Sequence, residues 1–477
     1  MRHFRYLLLL LPVVFLSCRP RLDETEVFAT SDRLARVLLT TADSTLLLAP
    51  RGPIALESVS DSVPELLIDP SLRYQQMKGF GYTLTGGSAE LLHGMSAAAR
   101  RALLEELFLP ADSSLGVSYL RLSLGASDLD AEVFSYSDLP PGETDVSMDR
   151  FSLAPDRRHL IPVLREILNI NPTVRLMASP WSPPVWMKDN GASKGGSLLP
   201  EYYPAYARYF VRYVQGMAEE GIPIDAVTVQ NEPLHPGNNP SLLMLPEAQA
   251  EFVGQHLGPA FESAGLDTRI VVYDHNADRP DYPLTVLEDS AARRYVDGSA
   301  FHLYGGTIDA LTEVHNAYPE KHLYFTEQWI GAPGDFAEDL RWHVRELIIG
   351  ATRNWAETVL EWNLAADPNQ EPHTDGGCTR CLGALTIEQD NVHRNTAYYI
   401  IGHASKAVPP GSYRIKSTEA RGLPNVAFLT PDGEVVVIVL NDTEEEAAFR
   451  IGNRLRQLSV RLEPGSVATY ILPAAAL

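Results

Sequence analysis

Two glutamates stand where short apolar runs end. Residues 226–230 (Ala-Val-Thr-Val-Gln) lead into Asn231-Glu232-Pro233, and residues 323–326 (Leu-Tyr-Phe-Thr) lead into Glu327-Gln328-Trp329. A carboxylate finishing a buried strand is costly unless it faces a polar cleft. A pair of carboxylates is the minimum set for hydrolysing a glycosidic bond: one donates a proton to the leaving oxygen, the other attacks the anomeric carbon. At a separation of about 5 Å such a pair works with retention, through a covalent glycosyl ester. The acid of the pair then needs a raised pKa, which the second carboxylate helps to supply. Asn231, beside Glu232, is placed to bond a sugar 2-hydroxyl. The competing reading makes one or both glutamates a helix cap or the partner of an arginine.

Aromatic residues surround the same segments. Trp181 and Trp186 lie within residues 179–188, Trp329 follows Glu327, and Trp362 ends another apolar run. Sugar rings present C–H faces that pack on aromatic planes, so tryptophans at a cleft mouth suit a saccharide. The alternative is that they fill core. Core is the preferred reading for Trp342 and Trp355, which fall in a helical stretch, and sugar contact is preferred for Trp362.

The elements that would position these residues follow from periodicity. Strand-like runs occur at 77–83, 117–124, 174–179, 226–230, 270–274, 300–304, 323–327 and 358–362. Helical candidates at 89–108, 202–220, 246–264 and 335–355 lie between them. In 202–220 the apolar residues Tyr206, Phe210, Tyr213, Val214 and Met217 recur at helical spacing. Strand–helix alternation repeated in this way predicts an α/β fold, a (β/α)8 TIM barrel, with no fixed-period repeat to suggest a solenoid. Reactive residues of such a barrel collect at the C-terminal ends of strands. Glu232 then ends the fourth strand and Glu327 the seventh, across one mouth.

Both ends of the chain carry a β signal instead. A Thr/Ser-rich stretch, 29–62, contains runs at 34–40 and 44–48, and Leu66-Leu67-Ile68 follows. Residues 425–430, the turn Pro431-Asp432-Gly433 and residues 434–441 read as a hairpin, with further strands at 447–451, 458–462 and 467–472. A side β-sandwich built from both termini is expected. The predicted organisation is a leader at 1–18, N-terminal strands in 22–76, the barrel in 77–408 and the C-terminal sandwich in 409–477.

Composition bounds the partners. The chain has 477 residues, 45% of them hydrophobic, and a net charge of -22. Such a surface repels phosphate backbones, which excludes nucleic acid as a natural partner. Arg2 and Arg5 precede the apolar run 6–16, with Ser17-Cys18 after it. This describes an export signal, too short to span a bilayer permanently. Cys18 after Phe-Leu-Ser resembles the lipidated cysteine of a bacterial lipoprotein; the alternative is a plain secretory leader with an incidental cysteine. An envelope lipoprotein or a secreted protein is expected, touching a membrane only through a lipid anchor. The two other cysteines, Cys378 and Cys381, form Cys-Thr-Arg-Cys. In an exported chain a local disulfide is the leading reading. Zinc lacks a second cysteine pair, with His373 alone nearby, and a redox role does not suit the Gly-rich loop Asp375-Gly376-Gly377.

The segments also form an ordered set. It runs Gly79-Phe80-Gly81-Tyr82-Thr83, Arg121-Leu122-Ser123-Leu124-Gly125-Ala126-Ser127-Asp128, Ser179-Pro180-Trp181-Ser182-Pro183-Pro184-Val185-Trp186-Met187-Lys188, Asn190-Gly191-Ala192 and Lys194-Gly195-Gly196-Ser197-Leu198. It continues with Gln230-Asn231-Glu232-Pro233, Phe301-His302-Leu303-Tyr304, Thr326-Glu327, Glu361-Trp362-Asn363-Leu364 and Gly402-His403-Ala404-Ser405-Lys406. Asn-Glu-Pro alone is shared by many barrel glycosidases; the set in order resembles glycoside hydrolase family 30, the family of the glucosylceramidases. The resemblance implies Glu232 as acid/base and Glu327 as nucleophile. It implies that Asp128, Trp181, Asn231 and Trp362 hold the sugar in the −1 subsite. Arg121 and Tyr304 would orient the nucleophile, with His302 assisting, against the alternatives of a structural ion pair for Arg121 and a satisfied core histidine for His302. It implies no metal, no cofactor and a retaining reaction on a β-linked glucoside or glucan: glucosylceramide, β-1,6-glucan or another β-glucoside, with β-xylan as a weaker option. Residues 369–390 and 234–245 depart from the glucosylceramidase pattern, and these loops would shape the aglycone side. The alternatives are a non-catalytic glycan-binding lipoprotein, and a different barrel hydrolase, which would want a metal cluster or a Ser/Cys nucleophile.

Overall fold

The computed structural model describes Met1 and residues 34–56, 63–111 and 113–473. The expected leader beyond Met1, with Cys18, lies outside the described residues. Before the barrel come β1 (Leu34–Thr40), β2 (Ala49–Ala55) and β3 (Glu65–Gln76). The barrel strands are β4 (Gly79–Leu84), β5 (Tyr119–Ser123), β6 (Arg175–Ser179), β7 (Ala226–Thr228), β8 (Arg269–Ala277), β9 (Val296–Gly306), β10 (His322–Glu327) and, after a short β11 (Ile330–Gly331), β12 (Ala356–Asn363). Small pieces β13 (Ala365–Ala366), β14 (Cys381–Leu382), β15 (Leu385–Glu388) and β16 (Asn391–Arg394) decorate its mouth. The chain ends in β17 (Tyr413–Ser417), β18 (Asn425–Leu429), β19 (Val435–Leu440), β20 (Ala447–Gly452), β21 (Gln457–Leu462) and β22 (Val467–Leu472).

The eight barrel strands close in the order β10-β12-β4-β5-β6-β7-β8-β9, every pair parallel. A parallel barrel buries both faces of its strands, and the strands accordingly read as unbroken apolar runs. Side chains fill the interior: Tyr119, Met177, Ala226, Val271, Ala300, Tyr324 and Leu360 form one buried cluster. Strands β4 and β5 approach closely at Gly81, where a Cβ would stand 1.9 Å from the Tyr119 carbonyl oxygen. That contact gives Gly79-Phe80-Gly81 a physical reason. At the opposite end from the mouth, Lys78 pairs with Glu357 at 2.9 Å and Asp297 accepts from Tyr324 at 2.6 Å, which closes the barrel floor with satisfied charges.

The remaining strands form one nine-stranded sheet, β2-β1-β22-β19-β18-β17-β3-β20-β21, which folds over its own core and draws on both chain ends. Strand β3 joins the halves, pairing antiparallel with β17 and parallel with β20. The sandwich meets the barrel through helix Thr396–Ser405, whose buried His403 bonds Thr469 at 2.9 Å and Thr40 at 2.8 Å.

Several local expectations change. Residues 44–48 are a turn, not a strand: Asp43 accepts from Thr45 and Thr41, and Ser44 and Leu48 adopt left-handed φ. The strand follows instead at β2, where Pro50 and Pro53 are tolerated because β2 is the sheet edge. The stretch 89–108 is two helices, Gly86–Gly94 and Ala97–Phe108, because Thr85 and Ser96 each cap a new start. The stretches 246–264 and 335–355 each contain a wide π segment, Val253–Leu257 and Val344–Ala351.

Candidate active site

Strand β7 leaves the ladder at Thr228, so Gln230, Asn231 and Glu232 lie on the loop beyond it rather than in the strand. Backbone contacts hold them there. The Asn231 N–H donates to the Pro180 carbonyl at 2.8 Å, and the Glu232 N–H donates to the Asp274 carbonyl at 3.0 Å. Glu232 itself has φ 44°, a left-handed conformation unusual for a residue with a side chain. Glu327 ends β10. Both carboxylates are buried, and they offer oxygens within 4.8 Å of each other.

Arg121, on β5, ties the site together. Fully buried, it donates to Glu327 at 2.5 Å, Asn231 Oδ1 at 2.6 Å, Asp274 at 2.8 Å and Ser179 at 3.0 Å. Its guanidinium lies 4.8 Å from the Trp181 ring centroid and 5.7 Å from that of Trp362. Tyr304 donates its hydroxyl hydrogen to the other oxygen of Glu327 at 3.0 Å. Because Oδ1 of Asn231 accepts from Arg121, its Nδ2 is the end left for another partner. His302 sits between carboxylates, 3.2 Å from Glu232 through Nδ1 and 3.1 Å from Asp274 through Nε2.

The electrostatics follow from that network. Burial pushes Asp274 up, but Arg121, His302 and Thr326 outweigh it and hold the carboxyl well below the usual range. Burial opposes a charge on His302, yet Glu327, Asp274 and Glu232 drive it up to about 9, so the imidazole carries its proton at neutral pH. Burial likewise raises Glu232, but the hydrogen bond and charge of His302 hold it below its ordinary value. Glu327 is pushed up by burial, against His302 and Arg121. This differs from the expectation of an acid raised by its neighbour: the cluster's proton rests on His302, one hydrogen bond from Glu232. Asp128, after β5, is raised to about 7 by burial and by the charges of Glu327 and Glu232.

A cavity of about 350 Å3 opens over the pair. Asp128, Trp181, Glu232, Tyr304, Glu327, Trp329 and Trp362 all line it. Trp181 and Trp362 pack at 5.4 Å with a 33° tilt, and Trp181 is almost wholly buried above Arg121. Trp186 is not part of the cavity. Its indole N–H donates to the Ser137 carbonyl at 3.0 Å and its ring packs on Tyr202. Trp355 is also remote, stacked on His315 at 3.7 Å. Cys378 and Cys381 are joined as a disulfide on the cavity rim, and the Cys378 N–H donates to Asp128 at 3.3 Å.

Glu232, His302 and Glu327 are also close enough to suggest a cation site. A metal needs a neutral imidazole and free carboxylate lone pairs. Here both nitrogens of His302 face carboxylates and Arg121 occupies Glu327, so the donor set does not suit one.

Sequence reasoning missed Asp274, His235, Asn238, His275 and Asn276, of which all but Asp274 line the cavity. Asp274 ends the apolar run 270–274 just as Glu327 ends its own, so the same signal was present. It does different work: four donors saturate it, which leaves it no lone pair directed at a ligand.

Known proteins share this architecture. The model of the glycosyl hydrolase family 30 TIM-barrel domain matches residues 77–408, and that of the family 30 β-sandwich domain matches residues 411–470. An endo-1,6-β-D-glucanase of Neurospora crassa is 34% identical over 439 residues, 87% of this chain and 90% of the relative. The lysosomal acid glucosylceramidase of Mus musculus is 29% identical over 438 residues, 85% of this chain and 83% of the relative. The solved structure of the endo-β1,6-glucanase BT3312 superposes with a TM-score of 0.85 at 36% identity, covering 92% of this chain and 99% of that one. The chain belongs to glycosyl hydrolase family 30 and is a glycoside hydrolase.

Proposed function

We propose that the enzyme is an exported retaining β-glucanase that cleaves β-1,6-glucosidic bonds, with Glu327 as nucleophile and Glu232 as acid/base. The observation that carries this reading is the buried carboxylate pair with oxygens within 4.8 Å. That is the spacing of direct attack; an inverting enzyme needs about 6.5–9.5 Å to fit a water between its carboxyls. In the first step a Glu327 oxygen bonds to the anomeric carbon while the glycosidic oxygen leaves with a proton from Glu232. That proton reaches Glu232 along its hydrogen bond to His302. In the second step water attacks the same carbon, Glu232 takes the water's proton and returns it along the same hydrogen bond to His302, and Glu327 leaves as a carboxylate. Arg121 and Tyr304 hold both oxygens of the nucleophile in place. Asn231 Nδ2, Asp128, Trp181 and Trp362 form the −1 subsite.

The choice of glucan over glycolipid has two supports. The glucanase relatives are more similar than the glucosylceramidase, 34% against 29%. Polar side chains, His235, Asn238 and Asn276, stand around the opening together with its tryptophans. A ceramide tail needs a broad apolar surface beside the mouth. Among the described residues the exposed large apolar side chains are scattered, and of those only Tyr304 lines the cavity. The reading of residues 1–18 as a leader with Cys18 lipidated goes with it, and the mass of the mature N-terminus checks that part. No helix among the described residues is long and apolar enough to cross a membrane.

The test is a panel of linear β-1,6-glucan, other β-glucans, xylan and glucosylceramide, with product configuration followed from the first turnovers. We expect β-configured products and the highest kcat/KM on β-1,6-glucan. Inverted product overturns the mechanism, and a higher kcat/KM on glucosylceramide overturns the substrate.

A further inference from the structure

The loop that follows the proposed acid, residues 234–245, is one of the places where this sequence departs from the glucosylceramidases, and it brings a side chain to the acid itself. Asn238 lines the cavity, half-buried, with its Nδ2 3.5 Å from Oε2 of Glu232. That separation is the outer limit of a hydrogen bond, so the contact places the amide without consuming it. Among the described residues no group bonds its Oδ1, and that oxygen is not closed off by its surroundings. Asn238 therefore offers the cavity a donor and an acceptor on one side chain.

The loop is clamped around it. The His235 N–H donates to the Glu232 carbonyl at 2.8 Å and the Met244 N–H to the Pro233 carbonyl at 2.8 Å, so the segment starts and ends beside the acid. Asn239, the next residue, accepts from Ser193 at 2.7 Å and donates to the Asp375 carbonyl at 2.8 Å. The Ser241 N–H donates to the Ser193 carbonyl at 3.0 Å. The buried Lys188 ammonium completes the clamp. It donates to the Ser241 carbonyl at 2.8 Å, the Ser193 carbonyl at 2.9 Å and the Ser182 hydroxyl at 2.9 Å. A polar group fixed in advance loses less freedom when a ligand binds.

The two oxygens of the acid define the side on which Asn238 stands. Oε1 of Glu232 faces His302 at 3.2 Å, and His302 lies 3.8 Å from Glu327. Oε2 is the oxygen beside Asn238. The sugar under attack sits over the nucleophile, and the acid flanks the bond to the group that leaves. A polar side chain at the acid's other oxygen is therefore beside the leaving group. The −1 residues Asp128, Trp181 and Trp362 gather instead around Arg121 and the disulfide.

From the distance to Glu232, the open amide and the clamped loop, we propose that Asn238 forms the +1 subsite and exchanges a hydrogen bond with a ring hydroxyl of the sugar that leaves. The assignment rests on the reading of the enzyme as a β-glucanase, whose leaving group is itself a glucosyl unit. A hydroxyl both donates and accepts, as the amide does; an alkyl chain matches neither end.

The test uses the second step, in which another hydroxyl compound can take the place of water. An aryl β-glucoside is the donor and a β-1,6-linked glucose disaccharide the acceptor. The acceptor's hydroxyl oxygen bonds to the anomeric carbon, Glu232 takes the hydroxyl proton and Glu327 leaves as a carboxylate. Transfer and hydrolysis drain the same glycosyl-enzyme and use the same base. Their ratio therefore reads the +1 subsite, and a change in Glu232 or in the folded fraction cancels. We expect Asn238→Leu to lower the ratio of transfer to hydrolysis about fivefold with the disaccharide, the worth of one neutral hydrogen bond. With n-butanol, which has no ring hydroxyls, the ratio should stay as in wild type. An equal fall with both acceptors would make Asn238 a shaper of the loop only, and an unmoved ratio with the disaccharide would place the +1 contact elsewhere. Either result overturns the assignment and leaves the glucanase reading intact. A wild-type enzyme that transfers to no sugar acceptor overturns that reading, and this assignment with it.

Discussion

At the scale of single residues the site is a charge cluster built around one proton. Arg121 and the His302 imidazolium face Glu232, Glu327 and Asp274, five ionisable groups that the barrel buries together. Groups this close titrate as a set. Because His302 is driven up to about 9, the cluster keeps its proton below that pH and loses it above. The alkaline limb of kcat/KM should therefore fall with an apparent pKa near 9. His302→Gln, which cannot carry the proton, should move that limb down and lower the rate by about 10²-fold or more. An unmoved limb would show that His302 is only packing. The residue scale is also where the sequence was both most and least legible. Glu232 and Glu327 stood out because acids ending apolar runs are rare. Asp274 gave the same signal for a different job, and Asn238 gave none, because Pro236-Gly237-Asn238-Asn239-Pro240 reads only as a turn.

Elements explain why the proposed catalytic residues stand where they do. The strands were readable because a parallel barrel buries both of their faces, leaving continuous apolar runs. The helix break at Ser96 was less so, since a cap within a long amphipathic pattern does not interrupt its period. The rim loops were least readable. The loop 374–382 is fixed by contacts distant in sequence. Its Thr374 N–H donates to the Asp128 carbonyl at 2.9 Å, Asn239 donates to Asp375 at 2.8 Å, and β14 pairs with β11. The disulfide closes this loop directly over Asp128. So short a closure contributes at most about 2 kcal/mol to folding. Its larger effect is on the site. The double variant Cys378→Ser/Cys381→Ser should raise KM about fivefold, the worth of the Cys378–Asp128 hydrogen bond, with kcat changed less. A change confined to thermal stability would contradict this.

At the scale of the whole molecule, barrel and sandwich are one folding problem because the chain visits the sandwich at both ends. Among the buried polar groups at the seam between them is His403, held neutral between Thr40 and Thr469. Burial lowers this imidazole to about 3 from an ordinary 6.5. A depressed pKa stabilises the fold fully above pH 6.5, and that contribution is lost as pH falls toward 3, at up to about 1.4 kcal/mol per pH unit. Urea midpoints from pH 7 to 4 should fall more steeply for wild type than for His403→Gln. Parallel slopes would place the acid sensitivity elsewhere. The Gly402-His403-Ala404-Ser405-Lys406 segment was recognisable in sequence only as part of a motif; its physical reason lies in contacts with strands more than sixty residues away.

A retaining reaction at this site passes through a covalent bond to Glu327. Incubation with a 2-deoxy-2-fluoro-β-glucoside bearing an activated leaving group slows both steps, the second more, so the ester accumulates. Digestion and mass spectrometry of the inactivated protein then locate the sugar. The predicted result is one glycosyl group per chain, on the peptide containing Glu327, and none in Glu327→Gln. Labelling at Glu232, or turnover with inversion and no labelled peptide, would contradict it.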